Sequence, residues 1–300
     1  EPRPVLQGLI ELTDSVSGDE QAAVAQAVFD HSAATSSLRG RAIIGLSQAR
    51  GNAALPHIHN ALRSDDLRLQ RAAAEALVAL PEALATTAAQ LNDLPPSAAA
   101  LVIGAIAKAR ATALEEILIQ TMNHDDADIS NAAIDAIAVC GSAKAVRPLA
   151  ELAGNSTGAK QNRARRSLAA LKANGVDDSI RSLAADNTLP EKIRAELFAA
   201  MGSRIDRAAI GMLLQAATDD NKAIRKEAIA ALAVVANDSD SARLIDLIAA
   251  VDSAADRNRL EGILVAVNRS AGDPAATPAL LAAALAKNPP APARIAYLNA

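Results

Sequence analysis

Between Asp220 and Ala236 the chain reads DNKAIRKEAIAALAVVA. Its apolar residues Ile224, Ala228, Ala231, Leu232 and Val235 fall on one face of an α-helix. Asp219 and Asp220 precede it as N-cap candidates, where a carboxylate accepts from free backbone N–H groups and meets the positive end of the helix dipole. The layout returns along the chain. With the spacing from Ile224 to Leu232 as a ruler, Leu38/Leu46, Leu69/Leu77, Ile129/Ile137 and Ile193/Met201 match it. Ala98/Ile106, Arg163/Leu171 and Arg259/Val267 match with Ala or Arg in the first place. Successive starts from Leu38 lie 31, 29, 31, 34, 30, 31 and 35 residues apart. A period near 31 residues sustained over eight units signals a solenoid.

A second set of helices is expected between these, at Gln21–Asp30, Ala53–Leu62, Glu82–Leu91, Ala113–Met122, Ala143–Leu152, Ser179–Asp186, Arg207–Ala217, Ala242–Val251 and Pro274–Ala286. Breaks such as ARGNAA, NDLPPS, CGSAKA, ANGVDD and AGDPAATP carry turn and cap residues. Each unit therefore reads as helix, tight turn, helix. Neither helix of a pair can bury its apolar face alone, so stacking on neighbours supplies the core. No stretch shows the period-2 alternation of strands. The predicted class is all-α, a single α-solenoid domain over 1–300. The chain opens at Glu1 inside one helical pattern and stops at ARIAYLNA inside another, so both ends read as cut from a longer chain or processed.

Composition sharpens this. Hydrophobic residues are 51% of the chain but aromatics only 1% (Phe29, Phe198 and Tyr297). Ala, Leu, Ile and Val must supply the packing, which suits thin layers of close helices better than a thick core built on rings. A net charge of −4 argues against a bulk nucleic-acid binder. The single cysteine, Cys140, sits in the apolar run AIAVCG and reads as a buried small hydrophobe. No apolar run reaches the length of a membrane span.

The pattern D-x-x-x-I-R-x-x-A-I-x-A-L, carried by Asp220, Ile224, Arg225, Ala228, Ile229, Ala231 and Leu232, resembles the HEAT family, and the short period is similar to its bacterial phycobilin-lyase-type branch. The resemblance implies a right-handed α-α superhelix of about eight to nine helical hairpins. It also implies a concave surface lined by the second helix of each pair, and an Asp–Arg ladder between repeats. Arg39, Arg194 and Arg225 occupy the ladder position, while Gln70, Ala99, Ser130, Ala164 and Leu260 depart from it and interrupt the ladder. DRNRLEGILVAVNRS is similar to arrays in large exported bacterial proteins joined to sugar-handling or cytochrome modules.

Candidate chemistry is sparse. His57 and His59 point to different sides of a helix, and His31 and His124 stand alone, so no metal set is expected. HEAT-like hydroxylases hold iron with His-Glu pairs, and no His here is followed by Glu. The chain has no G-x-S-x-G elbow, phosphate loop, dinucleotide fingerprint or CxxCH. Asp125, Asp126 and Asp128 lack the Gly and Glu of a calcium loop and read as a capping turn.

Charge is unevenly spread. Residues 111–143 carry no Lys or Arg against Glu115, Glu116, Asp125, Asp126, Asp128 and Asp135, while 143–181 sum to +5. Either neighbouring repeats of opposite sign pair across their interface, or the basic helix Lys160–Lys172 presents Arg to an acidic partner or phosphate. Second-helix positions that fall away from the buried stripe, together with that basic helix, nominate Arg41, Arg71, Glu75, Asn131, Asp135, Arg163, Arg165, Arg166, Glu196, Lys226 and Glu227. This mixed-sign surface is either a solvated face or one that meets a charged polypeptide. The expectation is a non-catalytic protein–protein interaction scaffold or spacer, with a protein or peptide partner, no nucleic acid and no cofactor. The alternatives are a repeat segment of a larger exported bacterial enzyme or cytochrome-linked protein, its catalytic domain outside these residues, and a lyase-like chaperone for a chromophore.

Overall fold

In the computed structural model every regular element among the described residues is helical, as the 3.6-residue periodicity requires. The structure describes residues 2–13, 15–269, 276–287 and 289–299. The expected turn AGDPAATP and the start of the expected helix Pro274–Ala286 lie partly outside them.

The chain forms two compact units, Glu1–Ala145 and Val146–Ala300. The first contains α1 (Pro2–Leu12), α2 (Gly18–Asp30), α3 (Ser36–Arg50), α4 (Leu55–Leu62), α5 (Leu67–Leu77), α6 (Pro81–Ala88), α7 (Pro96–Ala109), α8 (Glu115–Thr121) and α9 (Ala127–Cys140). The second contains α10 (Val146–Asn155), α11 (Gly158–Ala170), α12 (Val176–Ala185), α13 (Glu191–Ser203), α14 (Ile210–Ala216), α15 (Lys222–Val235), α16 (Ser241–Ala250), α17 (Ala254–Arg269), α18 (Ala276–Ala286) and α19 (Ala291–Asn299). Within each unit, consecutive helices pair as hairpins. The second helices stack side by side, α3–α5–α7–α9 in one unit and α11–α13–α15–α17 in the other. The fold is an all-α helical-repeat solenoid.

Capping residues set the helix starts. Asp66 and Asp126 accept from the first backbone N–H groups of α5 and α9, so the Asp125–Asp128 run is the capping turn its composition suggested. At α15 the cap is Asn221, one residue beyond the expected Asp219 and Asp220. Asn221 accepts from the amides of Ala223 (2.9 Å) and Ile224 (3.2 Å), while Asp219 accepts from Asn221 N–H.

Burial corrects the repeat register at two places. In α11 the buried residues Ala164, Ser167 and Leu168 correspond to Ala228, Ala231 and Leu232 of α15, which puts Lys160, not Arg163, at the ruler's first position. In α17 the buried set Leu260, Ile263 and Leu264 puts Asp256 there, not Arg259. The starts become 38, 69, 98, 129, 160, 193, 224 and 256, and the spacings 31, 29, 31, 31, 33, 31 and 32.

The corrected register also repairs the ladder. In six of the eight repeats the residue after the ruler's first position donates to a carbonyl at or just past the C-terminal end of the preceding helix, where C=O groups lack intrahelical partners; Ala99 has no donor to offer and Gln161 turns to Glu196 instead. Arg39 reaches His31 O (3.2 Å), Arg194 reaches Ala184 O (2.9 Å), and Arg225 reaches Asp219 O (2.8 Å). Arg257 now takes this place, donating to Val251 O (2.6 Å). Gln70 and Ser130 depart from arginine in type only: Gln70 donates to Ser64 O and Ser130 to Met122 O, both at 2.7 Å. A direct Arg-to-Asp rung links Arg225 to Asp256 of the next hairpin at 3.2 Å.

Candidate recognition groove

The nominated residues divide between the units. In the first, Arg41, Arg71, Glu75 and Asp135 are exposed and Asn131 is half-buried. Glu75 on α5 pairs with Lys108 on α7 at 2.6 Å with both side chains more than half exposed, a surface contact of under about 1 kcal/mol.

In the second unit, Arg165 of α11, Glu196 of α13, and Lys226 and Glu227 of α15 come together. Arg163 is half-buried on α11 and Arg166 exposed. Glu196 was expected on the solvent side, yet its side chain is only 5% exposed. Two side chains from the preceding hairpin cover it: Arg165 grips it with both Nε and Nη2 (Nη2–Oε1 2.8 Å), and Gln161 Nε2 donates at 2.8 Å. This fork geometry is the arrangement in which Arg and a carboxylate bind strongest. The hydrogen bond to Glu196 pushes the Arg165 pKa up. Glu227 stands farther off, 3.9 Å from Arg165 and 3.6 Å from Lys226, and its side chain is 18% exposed.

Arg165, Glu196 and Glu227 line a groove of about 350 Å³ between α11, α13 and α15. Its floor is narrow because α13 and α15 nearly touch: a Cβ placed on Gly202 would lie 2.8 Å from Ala231 Cα. Its rim is apolar, with Ile205 63% and Val234 55% exposed. Ala230 is shared with an adjoining groove of about 460 Å³ between α15 and α17, bordered by Lys226 and Arg259. Sequence patterning did not mark Leu168, Gly202, Ile205 or Val234, because an apolar or small residue carries no polar signal.

In the basic stretch 143–181, Arg147 pairs with Glu151, Arg165 with Glu196, and Arg181 with Asp178 and Asp206. In the acidic stretch, buried Glu115 accepts from Ser142 N–H at 2.6 Å.

Elsewhere the side chains have structural partners. His57 meets the edge of the Phe29 ring, and His59 Nε2 lies 2.9 Å from Thr87 Oγ1. Cys140 is buried, points its thiol at Ile106 O, and has its pKa raised by that burial. Among the described residues no group of three His, Cys, Asp or Glu side chains could hold a metal ion, and no helix is long and apolar enough to cross a membrane.

The chain resembles solved helical-repeat structures. No family model matches it, and no curated protein sequence matches it. Human deoxyhypusine hydroxylase, solved in complex with glycerol, is 18% identical with a TM-score of 0.37, covering 87% of this chain and 100% of its own. Escherichia coli YibA is 16% identical with a TM-score of 0.38, covering 88% and 97%. An engineered protein is 17% identical with a TM-score of 0.30, covering 88% and 96%. At these identities the likeness concerns fold alone. The expectation of a non-catalytic scaffold or spacer is corrected here: one of these neighbours, a hydroxylase, is an enzyme, and the helical-repeat fold does not by itself exclude catalysis.

Proposed function

We propose that the second unit recognises a peptide segment laid across α11, α13, α15 and α17. The observation that carries this reading is the pair of grooves sharing Ala230: Glu196 and Glu227 lie in one, and Lys226 and Arg259 border the other. An extended ligand with apolar side chains and charges of both signs fits such a strip. Opposed charges fix its register, and apolar contact on the exposed Ile205 and Val234 supplies affinity. A polypeptide has this chemistry, with side chains spaced to reach successive helices.

The reading is tested by selecting a random peptide library on the purified chain and repeating the selection on Ala230→Glu, which blocks both grooves at their shared residue. Enrichment of a defined motif by the natural chain and its loss with Ala230→Glu is the expected result. Failure to enrich any motif, or the same motif on both proteins, contradicts the reading.

A further inference from the structure

The groove between α11, α13 and α15 has an acceptor left over. Glu196 already accepts three hydrogen bonds, two from Arg165 and one from Gln161. Glu227 lines the same groove and is mostly buried, and its ion contacts among the described residues, at 3.6 and 3.9 Å, lie beyond hydrogen-bond distance. Its oxygens are not sealed from water, and a cationic group entering the groove would replace that water with a charge-assisted bond. The α11–α13–α15 lining itself carries one guanidinium, Arg165, against two carboxylates. Lys226 contributes little, since its side chain is 62% exposed and it faces the adjoining groove.

The opposite wall is apolar and is held there at a conformational cost. Ile205 has φ 54°, and a β-branched residue in the left-handed region is an outlier. Such a conformation persists only where its surroundings over-determine it. Here they do. Ile205 N–H donates to Gly202 O (3.0 Å) and Asp206 N–H to Met201 O (2.9 Å). On one side of it Arg204 donates to Ala169 O (2.9 Å) and Leu171 O (2.6 Å) at the end of α11. On the other, Asp206 accepts from Arg181 and from Ala208 N–H. The clamp holds Ile205 out over the groove, opposite Val234, where glycine would close the same turn without strain.

Resting on the peptide reading, we propose that this groove takes a basic side chain, Arg or Lys, with its aliphatic stem between Ile205 and Val234 and its cationic head on Glu227. Long basic side chains are the ones that combine an apolar stem with a charged head, which matches an apolar rim in the same groove as a carboxylate. Ile205 is then a specificity-determining residue for the length of that stem.

The test is a positional-scanning peptide library on the natural chain, Glu227→Gln and Ile205→Gly, followed by fluorescence anisotropy with the enriched peptide and its citrulline analogue, which keeps the shape of arginine and lacks its charge. The natural chain should enrich Arg or Lys at one position and prefer the Arg peptide to its citrulline analogue by about ten- to hundredfold, the range of a hydrogen bond to a charged group. Glu227→Gln should abolish that preference. Ile205→Gly should weaken the Arg and citrulline peptides alike while leaving the thermal midpoint unchanged or higher, a combination that general damage to the fold would not give. Enrichment of a motif without a basic residue, or a charge preference that survives Glu227→Gln, overturns this inference and leaves the peptide reading standing. Absence of any motif removes both. Self-association of the natural chain in sedimentation that is lost in Ile205→Gly would seat a second copy in the groove and overturn it as well.

Discussion

Two turns, one in each unit, solve the same problem with different residues. The turn closing α7 places Arg110 at φ 51°, and the turn closing α13 places Ile205 at φ 54°. In both, the following amide reaches back to close the helix: Ala111 N–H to Ile106 O, and Asp206 N–H to Met201 O. Val139 and Val234 occupy matching positions on the next helix and are exposed alike, at 50% and 55%. The rest differs. Where the second unit has Arg165, Glu196 and Glu227, the matching positions of the first are Ala74, Leu101 and Ala132. The repeat thus folds without these charges and without an isoleucine at the turn. What the second unit adds is therefore a property of its surface, which is why we place recognition there.

Five substitutions break or sharpen that comparison, in decreasing order of effect. Arg165→Ala strands the nearly buried Glu196 carboxylate and should lower stability by about 2–3 kcal/mol, less than for a fully buried pair because Arg165 is more than a third exposed. A shift of the second unit's urea midpoint measures it. Gly202→Ala must push α13 from α15, since the new Cβ meets Ala231 backbone, and should cost about 1–3 kcal/mol. Ile205→Gly should stabilise by about 0.5–1 kcal/mol, and Arg110→Gly by less, because Arg110 is unbranched at Cβ. Comparing the two melts checks the strain directly: an equal response would mean that Ile205 stores nothing extra. Lys108→Ala should change stability by under about 0.5 kcal/mol, its pair with Glu75 being solvent-exposed.

The fold was legible because Ala, Leu and Ile recur at helical spacing in every repeat. The register slipped at Lys160 and Asp256, where polar residues hold a place elsewhere filled by apolar ones and a nearby Arg was the more conspicuous landmark. Gln70 and Ser130 read as gaps in the ladder because residue type was matched, whereas any donor long enough to reach the last carbonyls serves. The polar part of the groove was legible from positions off the apolar stripe. Its apolar wall was not, since in sequence an isoleucine at a helix end cannot be told from core. Nor could spacing within one helix show that Glu196 is roofed by α11, a contact across hairpins.

The most direct test of peptide recognition here is a methyl NMR titration of the isoleucine-labelled chain with the selected peptide. The account predicts that Ile205 shifts with saturation, while Ile44 and Ile117 of the first unit stay in place. Saturable shifts confined to isoleucines of the first unit, with Ile205 unmoved, would contradict it.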